Sequence, residues 1–396
     1  MVQLNHNFQN LKDSYLFYNI SQRTAAYQAA HPGQPIYRLG IGDVSQPLCP
    51  AVIEALHRAV DDQAHKASFR GYQPECGTAF LREAIARHYG SRGVSLQADE
   101  IFITSGAGDE LGNLLGLFGP DNRVMVLEPA YPAYVDTNIM AGHPILRRSA
   151  GQENGFLPLP DGQTAELIYL CSPNNPTGAA YTRAQLQQWV DFANEIGAVI
   201  LFDAAYEAFI QDADVPHSIY ELPGAQECAI EICSLSKTAG FTGTRCGYTV
   251  VPRALVRDGQ QLHPMWVRDR TTKTNGVSYI LQRGAAAVFT PEGQRQTQAA
   301  LSVYRENARV LAEALDRLGI WYCGGRNAPY LWLRCPDGLD SWAFFDRLLE
   351  RAQIVGVPGA GFGACGEGFF RFSAFGDPAE IKAAAARLER KVTVDS

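Results

Sequence analysis

Glu231-Ile232-Cys233-Ser234-Leu235-Ser236-Lys237-Thr238-Ala239-Gly240-Phe241-Thr242-Gly243-Thr244-Arg245 is a polar, glycine-bearing stretch between two β-like runs, Cys228 to Cys233 and Cys246 to Val251. It gathers an amine, two serine hydroxyls and a guanidinium at a strand end. An amine in that setting condenses with a carbonyl to a Schiff base, and the serine and arginine groups suit a phosphate dianion. Together they describe a pocket for pyridoxal 5′-phosphate (PLP), with Lys237 on the aldehyde and Ser234, Ser236 and Arg245 around the phosphate. Ser-x-Ser-Lys taken singly fits an ordinary solvated loop better, so the weight falls on its company.

That company lies upstream, at the ends of short apolar runs. Glu100 to Thr104 is followed by Ser105-Gly106-Ala107-Gly108-Asp109, and a helix is expected over Glu110 to Leu117. Strand, tight turn and helix start make an anion site from backbone N–H groups, here those of Ala107 and Gly108. A plain strand-to-helix turn reads the same way in isolation. Arg123 to Leu127 ends at Glu128-Pro129-Ala130-Tyr131-Pro132, and Leu167 to Leu170 at Ser172-Pro173-Asn174-Asn175-Pro176-Thr177-Gly178. Ala198 to Phe202 ends at Asp203-Ala204-Ala205-Tyr206-Glu207.

Helical patterns such as Thr182 to Glu195 separate these runs. Short continuous apolar strands alternating with helices predict an α/β fold with a mostly parallel sheet buried on both faces. Its ligands belong at the carboxyl ends of the strands. After the helical region Pro291 to Leu318 the pattern changes to sparser strands (Tyr330 to Leu333, Phe369 to Ala374) and helices (Ser341 to Arg351, Pro378 to Leu388). This predicts a smaller α+β domain. The expected division is 1–45 (N-terminal arm and part of the small domain), 46–284 (large domain) and 285–396 (small domain).

The 396 residues allow two domains or one large one, with ample core. With 46% hydrophobic and 19% charged residues the chain is globular, and a net charge of −7 disfavours nucleic acid as a partner. Residues 1–20 read as no signal peptide, and no apolar run is long enough to span a bilayer. Nine scattered cysteines without a C-x-x-C pair fit reduced thiols in a cytoplasmic protein and disfavour a metal site.

The strand-end residues form one set. The Asp203 carboxylate can keep a pyridinium nitrogen protonated, and Asn175 and Tyr206 can hydrogen-bond the ring's phenolate oxygen. Tyr131 can stack on the ring face. Lys237, Asp203 and Tyr131 are therefore the candidate catalytic residues. Arg371, in the smaller domain, can pair bidentately with a substrate carboxylate. Taken alone, Arg371 also fits a structural ion pair and Asp203 a helix cap.

This ordered set resembles the fold-type I PLP aminotransferases, on Ser-Pro-Asn-Asn-Pro-Thr-Gly (172–178), Asp203-x-x-Tyr206, Ser-x-Ser-Lys237 and Arg245. The resemblance narrows to the LL-diaminopimelate aminotransferase family. It rests on Leu39-Gly40-Ile41-Gly42-Asp43, on residues 202–210, on Lys237 to Gly243, on Thr272-Lys273-x-Asn275-Gly276-Val277-Ser278-Tyr279, on Asn327-Ala328-Pro329-Tyr330 and on Gly366 to Arg371. It implies a seven-stranded sheet and transfer of an amino group from glutamate to tetrahydrodipicolinate, giving LL-diaminopimelate for lysine and cell-wall synthesis. It also implies that Tyr15, Gly42 and Asn275 touch the substrate. Tyr72 would reach the phosphate, and Glu75 the distal end of the substrate, across a homodimer interface with shared active sites. Two positions depart from that family's pattern: Gly108 and Cys233 stand where it usually has lysine and arginine. The alternatives on this scaffold are an aminotransferase for lysine or another amino acid, a C–S lyase or decarboxylase, and a PLP-binding regulatory module without turnover.

Overall fold

Strand residues Val199, Ile200, Leu201 and Phe202 are all buried, and their neighbours alternate. Ile200 and Phe202 pack into a core with Val52, Leu81, Ile85 and Trp189, while Val199 and Leu201 pack into another with Phe102, Val126 and Trp266. Successive side chains of a strand point to opposite faces, so a sheet covered on both sides needs this unbroken apolar run. Burying one such side chain contributes about 1.5–3 kcal/mol, and Phe202→Ala would cost about 3–5 kcal/mol. The computed structural model describes residues 1–11, 16–40 and 42–391.

The sheet has seven strands: β1 (Ile101–Thr104), β2 (Val124–Glu128), β3 (Ile145–Ser149), β4 (Leu167–Cys171), β5 (Val199–Asp203), β6 (Ala229–Ser234) and β7 (Gly247–Val250). Their spatial order is β1-β7-β6-β5-β4-β2-β3. The pairs among β2 to β6 are parallel, and β7 runs antiparallel to β1 and β6. The helix Arg183–Ile196 links β4 to β5. Thr182 starts it with a capping box to Gln185, and Gly197 ends it in the left-handed region at φ 72°.

A second, antiparallel sheet follows, ordered β8 (Tyr322–Gly324), β9 (Tyr330–Arg334), β11 (Phe369–Ser373) and β10 (Val357–Pro358). Its core contains Leu331, Leu333, Phe344, Phe370 and Phe372, with Leu16, Ile20 and Leu39 from the N-terminal region. The N-terminal strand Tyr37–Arg38 pairs with Ile354–Val355. The helix Pro291–Arg317 connects the two regions. Its Leu301 and Tyr304 pack with Ala205, Phe209, Tyr330 and Phe375, and further along Leu311 and Leu315 enter the core of the small sheet.

Two expected boundaries are corrected. The helix expected to follow the 105–109 turn at Glu110 begins inside it, at Ala107, and its last turn, Leu114–Leu117, is 3-10. Small residues let the backbone coil at once after Gly106. The stretch around Lys237 is not an open loop but a short helix, Leu235–Ala239, whose start is capped by the Ser234 side chain accepting from Ser236 N. Strand β3 and the helix Pro132–Ala141 are additions to the elements expected from the sequence.

Candidate active site

The carboxyl ends of the parallel strands open into one cavity of about 280 Å³. Asp203 is the last residue of β5 and Ser234 the last of β6. Asn175 and Tyr131 follow β4 and β2, and Ala107 and Gly108 follow β1. All of them line the cavity, as do Gly42, Tyr206, Ser236, Lys237, Arg245 and Arg371.

At the floor, Asp203 is buried. Its Oδ2 accepts from the Tyr134 hydroxyl at 2.6 Å, and its Oδ1 accepts from Ala205 N at 3.0 Å. Burial raises its pKa, against which those two hydrogen bonds act. No cation pairs with it among the described residues. A buried carboxylate held ready without a counter-charge fits a protonated ring nitrogen.

Lys237 Nζ donates to the carbonyl of Gly42. Its pKa is pushed down to about 8, chiefly by burial, with the Arg371 and Arg245 charges adding and Asp43 opposing. At one end of the cavity, Arg245 sits in the left-handed region at φ 62° and its Nη1 reaches Ser236 Oγ at 3.4 Å and Thr242 O at 3.1 Å. Gly106 makes room for it: a Cβ there would lie 2.7 Å from Arg245 Nη2. Backbone amides of Ala107 and Gly108, two serine hydroxyls and this guanidinium make a donor set suited to a phosphate.

Arg371 projects from β11 and is almost fully buried. Its Nη1 donates to Asn175 Oδ1 at 2.5 Å and its Nη2 to Gly40 O at 3.0 Å, while Nε has no partner. The guanidinium lies over the Tyr330 ring at 4.4 Å. No carboxylate pairs with it among the described residues. Tyr206 and Tyr330 share a hydrogen bond at 2.9 Å, and Tyr131 meets Tyr134 edge-on at 5.7 Å.

Other expected residues lie elsewhere. Tyr72 is 88% exposed, Glu75 half-buried and Asn275 exposed, and none lines the cavity of the single chain. They belong to adjoining loops: Gly276 takes φ 78°, and a Cβ on it would come within 2.6 Å of Pro74 O. Asn275, expected to touch the substrate, lies on the loop beside that of Tyr72. Tyr15 lies outside the described residues. Cys233 lies on the face of β6 opposite Ser234, buried at 3.5 Å from the Tyr89 hydroxyl, so this departure leaves the phosphate end untouched.

Phe17, Tyr134 and Tyr330 also line the cavity and are not among the site residues expected from the sequence. Tyr330 falls within the quoted Asn-Ala-Pro-Tyr motif. Tyr134 carries no motif of its own, only its place three residues after Tyr131 at a helix start.

The sequence profile of the family described as aminotransferase class I and II matches residues 34–388. The chain belongs to that family. Members of this family work with PLP in general, and the fold is that of the fold-type I PLP aminotransferases. A curated LL-diaminopimelate aminotransferase from Lachnospira eligens is 48% identical, covering 98% of this chain and all of its own. Another from Agathobacter rectalis has the same identity and coverage. The solved L,L-diaminopimelate aminotransferase from Chlamydomonas reinhardtii superposes with a TM-score of 0.92 at 42% identity over 98% of both chains.

Proposed function

We propose that this enzyme is a PLP-dependent LL-diaminopimelate aminotransferase, converting tetrahydrodipicolinate and glutamate to LL-diaminopimelate and 2-oxoglutarate. One observation carries the chemistry: a buried amine of lowered pKa, a carboxylate without a cation and a guanidinium without an anion face one cavity. The 48% identity to the two curated relatives, over 98% of the chain, supports the substrate.

Bound in this cavity, PLP supplies an electron sink for breaking a Cα–H bond. Lys237 Nζ is the amine that would hold the aldehyde, and the same nitrogen would move the Cα proton. A pKa near 8 leaves a useful fraction of neutral base at physiological pH. Asp203 Oδ2, positioned by Tyr134, holds the proton on the ring nitrogen. Ser234, Ser236, Arg245 and the amides of Ala107 and Gly108 hold the phosphate, and Tyr131 covers the ring. Asn175 and Tyr206 serve the ring oxygen. Arg371 fixes the substrate α-carboxylate, and Tyr330 packs beneath its guanidinium.

Tyr72 and Glu75 act in the partner's site of a homodimer, Glu75 on the distal ammonium and Tyr72 on the phosphate, and Asn275 touches the substrate. The close packing of their two loops and the exposed Tyr72 support this. The working division is 1–45, 46–284 and 285–396, and the proposed compartment is the cytoplasm. No helix among the described residues is long and apolar enough to cross a membrane.

Gly108 favours a second reading, tolerance of amino acids without a distal carboxylate, such as lysine. It lines the cavity without a side chain. The deciding assay uses purified, PLP-loaded protein with LL-diaminopimelate, meso-diaminopimelate, lysine, glutamate and aspartate as donors to 2-oxo acids. Turnover of LL-diaminopimelate with 2-oxoglutarate is expected. Activity confined to substrates lacking a distal amine would overturn the substrate, and a lack of all transamination would overturn the reaction.

A further inference from the structure

Behind the helix that carries Lys237 lies a second cavity, of about 260 Å³. Ser234 lines both cavities, and Leu235 and Thr238 of the Lys237 helix form one wall of the second. The opposite wall comes from the helix Pro291–Arg317, through Gln294, Thr297, Gln298 and Arg305. Ile210, Val288 and Phe289 supply an apolar side.

Its polar groups are only partly satisfied. Thr297 is 95% buried from solvent, at 5% exposure, and its hydroxyl has no hydrogen-bond partner among the described residues. Arg305 Nη2 donates to Ala208 O at 2.9 Å and Nη1 to Gln298 Oε1 at 3.2 Å, but Nε is buried without a partner. Arg305 pairs with no carboxylate among the described residues, and burial lowers its pKa with nothing opposing. The other charges facing the cavity cancel. Arg92 lies 3.0 Å from Glu207, whose same oxygen is 3.1 Å from His217. Burial and then the Arg92 charge lower the pKa of His88, against the Glu207 carboxylate. Two guanidiniums thus face one carboxylate, leaving an uncompensated positive charge beside a buried, unused hydroxyl. Buried polar groups without partners are costly, so such a pair suits an incoming acceptor.

We propose that this cavity is a second binding site, for a small carboxylate with an apolar body. The carboxylate would pair with Arg305 and Thr297, and the apolar part would rest on Leu235, Ile210 and Phe289. The volume is just under the usual range of roughly 300–1,000 Å³ for ligand pockets, which limits the occupant to fragment size. Glu207 is already committed to Arg92 and His217, so the site does not select for an ammonium group. The occupant would touch the helix bearing Lys237 without entering the cavity in which Lys237 points. This inference does not depend on which amino acid the enzyme transaminates.

The probe is 4-fluorobenzoate, followed by fluorine NMR with the PLP-loaded enzyme. Because Arg371 also attracts carboxylates, the titration is made in an Arg371→Gln background. Binding is expected to persist there, and adding Arg305→Gln should weaken it about tenfold or more, the scale of one lost charge-assisted contact. Thr297→Val, nearly isosteric, should weaken it severalfold and decides the matter if Arg305→Gln does not fold. No binding in the Arg371→Gln protein, or binding unchanged by both further substitutions, would overturn the proposal.

Discussion

Arg371 Nη1 donates to Asn175 Oδ1 at 2.5 Å, joining the small sheet to the turn after β4 of the large one. The bond aims a buried guanidinium into the strand-end cavity with its Nε still unused. Two parallel bonds to a carboxylate need that planar fork. Arg371→Lys keeps the charge and loses the fork. We expect kcat/KM to fall about a hundredfold, close to 3 kcal/mol, mostly through KM. Steady-state kinetics on folded, cofactor-loaded protein checks this, and an unchanged KM would assign Arg371 to structure.

Tyr134 is the residue on which Asp203 depends. Its hydroxyl donates at 2.6 Å to a carboxylate whose pKa burial already raises. Removing the donor by Tyr134→Phe should raise that pKa further and weaken the hold on a protonated ring nitrogen. Hydrogen bonds to charged groups contribute about 1.5–3 kcal/mol, so cofactor dissociation should increase roughly ten- to a hundredfold. Asp203→Asn should do more. Equilibrium dialysis with absorbance readout measures both, and equal affinity in Tyr134→Phe and wild type would remove Tyr134 from the site.

Residues with motif chemistry at strand ends were legible because the chain repeats strand, polar turn and helix. Asp203, Asn175, Ser234 and Lys237 all follow apolar runs, and they converge because parallel strands end on the same side. Arg371 was legible by its type and the pattern around it, but its bond to Asn175 depends on how two sheets meet. Tyr134 and Phe17 were missed for the same reason: each acts through a tertiary contact, with no local sequence signal. The short helix at Lys237 was missed because Leu235 to Ala239 offers too few residues for any helical period. Tyr72, Glu75 and Asn275 do not line this chain's cavity, so the roles proposed for Tyr72 and Glu75 depend on a second copy of the chain.

Lys237 should show its depressed pKa directly. In the fold the neutral amine is favoured by burial, and its pKa is pushed down to about 8 from the usual 10.5. The neutral form attacks an aldehyde, so the rate at which the cofactor-free protein captures PLP should rise with pH and level off above about 8. Stopped-flow absorbance between pH 6.5 and about 10 follows this. The stability sign agrees: the unfolded chain holds this proton more tightly, so Lys237 makes stability rise with pH between about 8 and 10.5. A capture rate still climbing steeply at pH 10 would mean an ordinary, solvated lysine. Lys237→Ala should leave no cofactor that borohydride can fix.

Gly108 is the cheapest place to change what the site accepts. It is the second residue of the helix Ala107–Asn113, lines the cavity, and a Cβ built on it meets nothing within 4 Å. A side chain there needs no backbone adjustment, and replacing a helical glycine should stabilise by about 0.5–1 kcal/mol. Gly108→Lys places a flexible ammonium at the cavity wall without removing the backbone N–H that serves the phosphate end. If the open wall makes the native enzyme tolerant, the added charge should favour substrates with a distal carboxylate. The ratio of kcat/KM for LL-diaminopimelate to that for lysine should then rise by about three- to tenfold, which corresponds to about 0.7–1.4 kcal/mol. The measurement is a paired assay on wild type and variant, with thermal unfolding recorded alongside. A fall for both substrates by the same factor would mean that lysine only obstructs the cavity, and that Gly108 provides room without setting selectivity.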